Sequence, residues 1–147
     1  MIIAHHVAVT VFASGDEEAT LLGLAKLFPF SMTDEKITIE RQRAEGFRER
    51  IITVLRVRLA KQRQIRAFLE QLFSHLDLET LRRQLESRLD EHLDFFIRLD
   101  KPALISGDWQ LTDGGDCYHL RISVAAFPHT REVAIGVLQN AFSLSRL

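Results

Sequence analysis

Apolar residues at every second position predict six strands in this chain of 147 residues. The pattern is clear in the first strand, where Val7, Val9 and Val11 alternate with polar or small residues. Strict alternation is typical of a strand that buries one side. It recurs over residues 2–12, 36–43, 50–60, 94–100, 109–111 and 117–127. A turn around Gly46 would join the second and third strands.

A second pattern, with apolar residues three and four positions apart, predicts the helices. It is strongest over residues 61–76 and recurs over 14–28, 77–89 and 130–142. Asp77 stands where a helix cap is expected, and Pro102 suits the first turn of a short helix that Gly107 would end. The resulting order, β-α-β-β-α-α-β-β-β-α, predicts an α+β fold with two layers, in which helices cover a largely antiparallel sheet.

Several strands carry basic residues on the parity opposite to their apolar residues. Arg56 and Arg58 share one side of the third strand, and Arg98 and Arg121 have the corresponding parity in two later strands. Phe96 shares the parity of Arg98. We therefore expect several strands to contribute to one basic sheet face. An aromatic ring beside arginine is suited to base stacking, but Phe96 would instead be a core residue if both sheet faces were covered.

The overall charge is close to zero, at −1, but it is unevenly distributed. Residues 41–66 contain two acids and nine bases, a net charge of +7: Arg41, Arg43, Arg48, Arg50, Arg56, Arg58, Lys61, Arg63 and Arg66. A concentrated basic block can bind a polyanion locally in a neutral protein. The alternative is a solvated strand edge and helix start that the acidic helices neutralise.

Composition and motifs narrow the class of protein. A hydrophobic fraction of 46% and a charged fraction of 27% are typical of a folded soluble domain, and the length fits a single domain over residues 1–147. We expect no membrane span, and the lone Cys117 fits a reducing cytoplasm. No nucleotide-binding loop, zinc spacing or catalytic constellation is recognisable, so we predict no enzyme, metal or cofactor.

Four stretches together resemble an archaeal family described as RNA-binding proteins or predicted exosome subunits. They are HHVAVTVFASGDEEATLLGLAKLF, RIITVLRVRLAKQRQIRAFLEQL, FFIRLDKPALISGDWQL and CYHLRISVAAFPHTREVAIGVLQNAF. The resemblance implies RNA as the partner and a fold similar to that of the ribosomal protein that binds 5S ribosomal RNA. Family members often have a polar residue after RLDK, where this chain has Pro102.

The prediction is a cytoplasmic, non-enzymatic protein that binds RNA through a basic surface, with exosome or ribosome-associated proteins as further partners. The alternative is an interaction protein that forms a homodimer through its sheet, without a nucleic-acid role. The predicted RNA-binding residues are basic residues on the strands, the second helix and the turn after the fourth main strand: Arg41, Arg43, Arg56, Arg58, Lys61, Arg63, Arg98, Lys101 and Arg121.

Overall fold

The computed structural model describes residues 2–45 and 51–144. Their strands form one antiparallel sheet in the order β2-β3-β1-β5-β4. The strands are β1 (Ala4–Ala13), β2 (Glu40–Glu45), β3 (Ile51–Leu59), β4 (Asp94–Asp100) and β5 (Cys117–Val124). The described helices are α1 (Glu17–Lys26), α2 (Gln62–His75), α3 (Leu78–Arg83), α4 (Leu85–Arg88), α5 (Lys101–Ile105) and α6 (Arg131–Leu144). The predicted α+β class and the largely antiparallel sheet are confirmed.

The core lies between one face of the sheet and the helices. On the central strand β1, Val7, Val9 and Val11 are all buried, as the alternation predicted. Their neighbours across β3 and β5 are buried as well, and the apolar stripes of α2 and α6 cover them. On β1, β3, β4 and β5 most residues of one parity are buried and those of the other are partly or fully exposed, so the helices pack on one side of the sheet without covering the other.

The ends of several elements are set by short-range hydrogen bonds. The Asp77 side chain accepts from the backbone N–H groups of Glu79 and Thr80, so the predicted cap of α3 is confirmed. Asp100 caps α5 by accepting from the N–H of Ala103 at 3.0 Å. At the other end of α5, Gly107 has φ +91°, a left-handed conformation that favours glycine and allows the chain to leave the helix.

Packing between α1 and β5 also depends on a glycine. The buried Tyr118 hydroxyl donates to the carbonyl of Thr20 at 2.7 Å. Gly23 lies one turn further along α1, and a Cβ atom there would be 2.1 Å from that hydroxyl. The absence of a side chain at Gly23 therefore allows α1 to lie directly against the strand.

Three sequence predictions differ from the structure. The strand predicted over 36–43 begins only at Glu40, because Lys36 has φ 56° and turns the chain. The strand predicted over 109–111 is reduced to a single bridge between Leu99 and Leu111. The helix predicted over 77–89 breaks at Gln84 into α3 and α4.

The predicted turn around Gly46, with Arg48 and Arg50, lies outside the described residues. Among the helices that the structure describes, none has the length and apolar character needed to cross a membrane.

Candidate nucleic-acid interface

The sheet face opposite the helices is open, and its side chains come from alternate positions of the strands. These side chains include arginine, threonine and histidine together with Phe12, Ile52, Val54 and Phe96, while most of the intervening residues are buried against the helices. The register of the sheet arranges the open-face residues in rows that run across the strands.

The first row crosses four strands. Ala8 on the central strand pairs with Arg58 of β3 on one side and with Arg121 of β5 on the other. Arg121 in turn pairs with Phe96 of the edge strand β4. Two arginines from non-consecutive strands therefore flank a methyl group, and an aromatic ring lies at the end of the row.

The second row lies two residues away from the first on each strand. Thr10 pairs with Arg56 and with His119, and His119 pairs with Arg98. The Arg56 Nε donates to the Thr10 hydroxyl at 3.2 Å, which holds that guanidinium over the central strand. The two rows together bring four arginines from three strands to one face.

These rows line a groove of about 580 Å³ on the open face. Phe12 lies at one side of it, one step beyond Thr10 along the same parity of β1, and is 57% exposed. Phe96 and His119 line it as well, with ring centroids 5.3 Å apart. The groove thus combines guanidinium groups with aromatic surface.

Few acids oppose this positive charge. Glu40 on β2 contacts Arg58, with Oε1 and Nε 3.5 Å apart, and both side chains are more than half exposed. Within the part of the chain that the structure describes, Arg56, Arg98 and Arg121 have no ion pair with a carboxylate. Guanidinium groups placed in this way can make bidentate contacts with an incoming anion.

Two titratable groups in the groove are kept neutral by their surroundings. Burial lowers the pKa of His119, and the nearby positive charges of Arg98 and Arg121 lower it further. Burial also raises the pKa of the Cys117 thiol. At neutral pH, His119 therefore presents an uncharged ring, and Cys117 is protonated.

Arg41 and Arg43 do not share the open face. Both have the parity of β2 that faces the helices, opposite buried positions of β3. The Arg41 Nε donates to Glu17 Oε1 of α1 at 2.9 Å. Arg43 lines a separate depression together with Glu17 and Glu18. The basic block is therefore divided between the two sides of the sheet.

The predicted residues near α2 also lie outside the groove. Arg63 makes two hydrogen bonds to the Glu35 carboxylate, at 2.6 and 2.8 Å. This guanidinium holds the pKa of Glu35 below its usual range. Lys61 is exposed at the start of α2 and does not line the groove.

Lys101 is buried, with only 5% of its surface exposed. Its ammonium group donates to the Phe12 carbonyl at 2.8 Å, and lies 2.9 Å from Asp16 Oδ2 and 3.5 Å from Asp116 Oδ1. It therefore ties the end of β1 to the starts of α1 and β5. The expectation that Lys101 presents its charge on the basic surface is wrong, because these partners hold the side chain inside.

The sequence prediction of the site omitted Phe12. The signal was available, because Phe12 continues the parity of Ala8 and Thr10 on the first strand. Among residues 2–45 and 51–144, no three His, Cys, Asp or Glu side chains lie together in a way that could hold a metal ion.

A family described as RNA binding matches residues 6–124 of this chain. The chain belongs to this family. It is 33% identical over 142 residues to the RNA-binding protein PAB1135 of Pyrococcus abyssi, a match that covers 93% of this chain and 92% of that protein.

Solved structures from archaea share the fold. A DUF54 protein from Methanothermobacter thermautotrophicus is 34% identical, with a TM-score of 0.80 over 95% of this chain and 98% of that one. A DUF54 protein from Archaeglobus fulgidus is 27% identical, with a TM-score of 0.83 over 94% and 99%. A UPF0201 protein from Methanococcus jannaschii, at 14% identity, shares the fold alone, with a TM-score of 0.60 over 92% and 98%.

Proposed function

We propose that this protein binds RNA through the open face of its sheet and catalyses no reaction. Arg56, Arg58, Arg98 and Arg121 contact phosphate groups there, and the groove between them receives the chain. The observation that carries this proposal is the convergence of four arginines on one uncovered face, where among the described residues only Arg58 forms an ion pair with a carboxylate. Membership of an RNA-binding family supports RNA as the anion.

The proposal narrows the predicted site. Of the nine basic residues singled out in the sequence, four share the groove. Arg41 and Arg63 already pair with acids, and Lys101 is buried. An arginine that is held by a neighbouring carboxylate must give up that partner before it can bind phosphate. Arg56, Arg98 and Arg121 have no such partner among the described residues and do not incur this cost, and the contact of Arg58 with Glu40 is both exposed and longer, at 3.5 Å.

Salt dependence tests the proposal quantitatively. Each phosphate neutralised on a single strand lowers the slope of log K against log salt by about 0.7, so four contacts predict a slope of about −3. Arg98→Gln combined with Arg121→Gln removes two contacts and should bring the slope to about −1.4. Fluorescence anisotropy with a mixed-sequence RNA pool, from 50 to about 300 mM salt, measures this slope.

The matched control is Arg41→Gln combined with Arg43→Gln. It removes the same charge from the same sheet, but on the side facing the helices. We expect this variant to keep the slope of the unaltered protein. Equal weakening by both pairs would mean that the overall charge matters and the open face does not. Absence of binding at low salt would refute the proposed function.

A narrower role follows from the family resemblance only. We propose that the protein acts in the cytoplasm on RNA that is processed by the exosome, or together with ribosome-associated proteins. Its test is co-purification from archaeal cells with and without ribonuclease treatment. A complex that survives ribonuclease would indicate a protein partner, and loss of the complex would indicate a link through RNA.

The alternative function is self-association through the sheet. One observation favours it: β2 is an edge strand, and all six of its residues are exposed. The opposite edge, on β4, is partly occupied, because Asp100 donates to Gln110 and Thr112 donates to Arg98 through their backbones. Light scattering at micromolar concentration should give twice 16.9 kDa if β2 pairs with a second copy.

A further inference from the structure

Aromatic surface in the open-face groove distinguishes it from a purely electrostatic binding site. Phe12 is more than half exposed, although single exposed apolar residues are common on proteins and need no explanation by themselves. Phe12, however, lies within a cationic groove and shares it with the adjacent rings of Phe96 and His119. His119 is uncharged at neutral pH, as its lowered pKa implies, so its ring can act as a stacking surface.

The floor of the groove is suited to a flat group. The central strand contributes the small side chains of Ala8 and Thr10, with arginines on β3 and β5 at either side. Since adjacent strands lie about 4.8 Å apart, the backbones that carry Arg58 and Arg121 are separated by roughly 10 Å across Ala8. Because Ala8 and Thr10 are small, space remains between the arginines on either side of them, and Phe12 lies at the end of that space.

A duplex and a single strand differ in whether the faces of their bases are accessible to such rings. In an RNA duplex the faces of the bases stack on one another, and only their edges and the backbone are accessible. In an unpaired strand the bases can splay out and stack on aromatic side chains, while the backbone follows a positively charged groove. Rings that line a groove can be covered by a base only in the second case.

We infer that the open face selects unpaired, single-stranded RNA, with a base stacked on Phe12 and the flanking phosphates held by the arginines. This inference rests on the proposed function and specifies its substrate class. Phe96 and His119 provide a second stacking surface on the other side of the groove. Stacking is tolerant of sequence, because every base has a π-face, so the site discriminates by strandedness and not by base identity.

The test measures the affinity of three RNA probes for the unaltered protein and for two variants. The probes are a mixed-sequence single strand, the same strand annealed to its complement, and an abasic strand of equal length. Phe12→Ala should weaken binding of the single strand by about 5- to 100-fold. It should leave the salt slope unchanged, because no phosphate contact is lost. Its affinity for the duplex and for the abasic strand should equal that of the unaltered protein.

Phe127→Ala is the matched control. Phe127 is 97% exposed and does not line the groove, so the substitution removes the same side chain from a different surface. Neither substitution touches the core, and circular dichroism should show both variants folded. Phe127→Ala should bind every probe as the unaltered protein does.

Two outcomes overturn the inference while the proposed function stands. One is duplex affinity equal to that for the single strand. The other is a Phe12→Ala variant that binds the single strand as well as Phe127→Ala does. In both cases the salt slope would still depend on Arg98 and Arg121. If the unaltered protein shows no salt-dependent binding to any of the three probes, the proposed function is overturned as well.

Discussion

The two faces of the sheet are built from the same five strands and have opposite characters. On β5, Tyr118, Leu120 and Ile122 are fully buried, while His119 and Arg121 between them line the open groove. The covered face gains its stability from apolar area removed from water. The open face contributes little to the core, so its side chains can be charged or aromatic without cost to folding.

Two basic residues that are close in sequence, Arg98 and Lys101, differ in their exposure to solvent. Arg98 is in the open-face parity of β4 and is exposed, whereas Lys101, three residues later, is buried beyond the end of the strand. Once β4 ends, alternation no longer determines where a side chain lies. Lys101 turns inward because the Phe12 carbonyl and the Asp16 carboxylate are there to receive its ammonium group.

The largest expected effect on stability comes from comparing a phenylalanine buried under the helices with one on the open face. Phe68 on α2 is fully buried, and its ring centroid lies 5.2 Å from that of Phe28. Phe68→Ala should lower the free energy of unfolding by about 3–5 kcal/mol, and Phe12→Ala on the open face by less than about 1 kcal/mol. Urea denaturation measures both. Similar losses for the two variants would mean that the open face is part of the core.

The second effect concerns the inward-turned lysine. Lys101→Met removes a hydrogen bond to a carbonyl and the pairing with Asp16, and should lower the free energy of unfolding by about 2–4 kcal/mol. The control, Lys61→Met, changes an exposed lysine and should have an effect within about 0.5 kcal/mol. Equal stability of the two variants would show that the buried ammonium group is not required.

A third comparison tests how closely α1 lies against the covered face. Gly23→Ala would place a methyl group against the Tyr118 hydroxyl and the Ile105 side chain, and should destabilise the protein by about 1–3 kcal/mol. Gly136 in α6 has no atom within 4 Å of an added Cβ, so Gly136→Ala should stabilise by about 0.4–1 kcal/mol. Thermal unfolding should therefore shift in opposite directions for the two variants.

The smallest effect is a pH dependence at the boundary between the faces. The hydrogen bond from Lys101 holds the pKa of Asp16 below its usual value. A carboxyl whose pKa is lowered by folding stabilises the protein above its unfolded pKa, near 4, and loses that contribution as the pH falls through the folded value. Asp16→Asn should therefore lose less stability than the unaltered protein between pH 6 and pH 3. Parallel curves from urea titrations would contradict this.

The local pattern of apolar and polar residues was enough to predict most of the elements and the parity of their faces. Alternation in β1, β3, β4 and β5 separates buried residues from open-face residues correctly, because a strand directs successive side chains to opposite sides whatever its neighbours are. The helical stripe of α2 and the cap at Asp77 follow in the same way from local geometry. Arg56, Arg58, Arg98 and Arg121 could therefore be assigned to exposed positions in advance.

Which exposed residues meet depends on strand pairing, which the local pattern does not reveal. The strand order β2-β3-β1-β5-β4 brings Arg58 and Arg121, which are 63 positions apart in the chain, to either side of Ala8. The register of β2 against β3 pairs Arg41 with the buried Leu55 and so leaves it on the opposite side of the sheet, although it belongs to the same basic block. Local pattern contains no information on strand pairing at this separation, because pairing depends on how the whole apolar surface is buried at once.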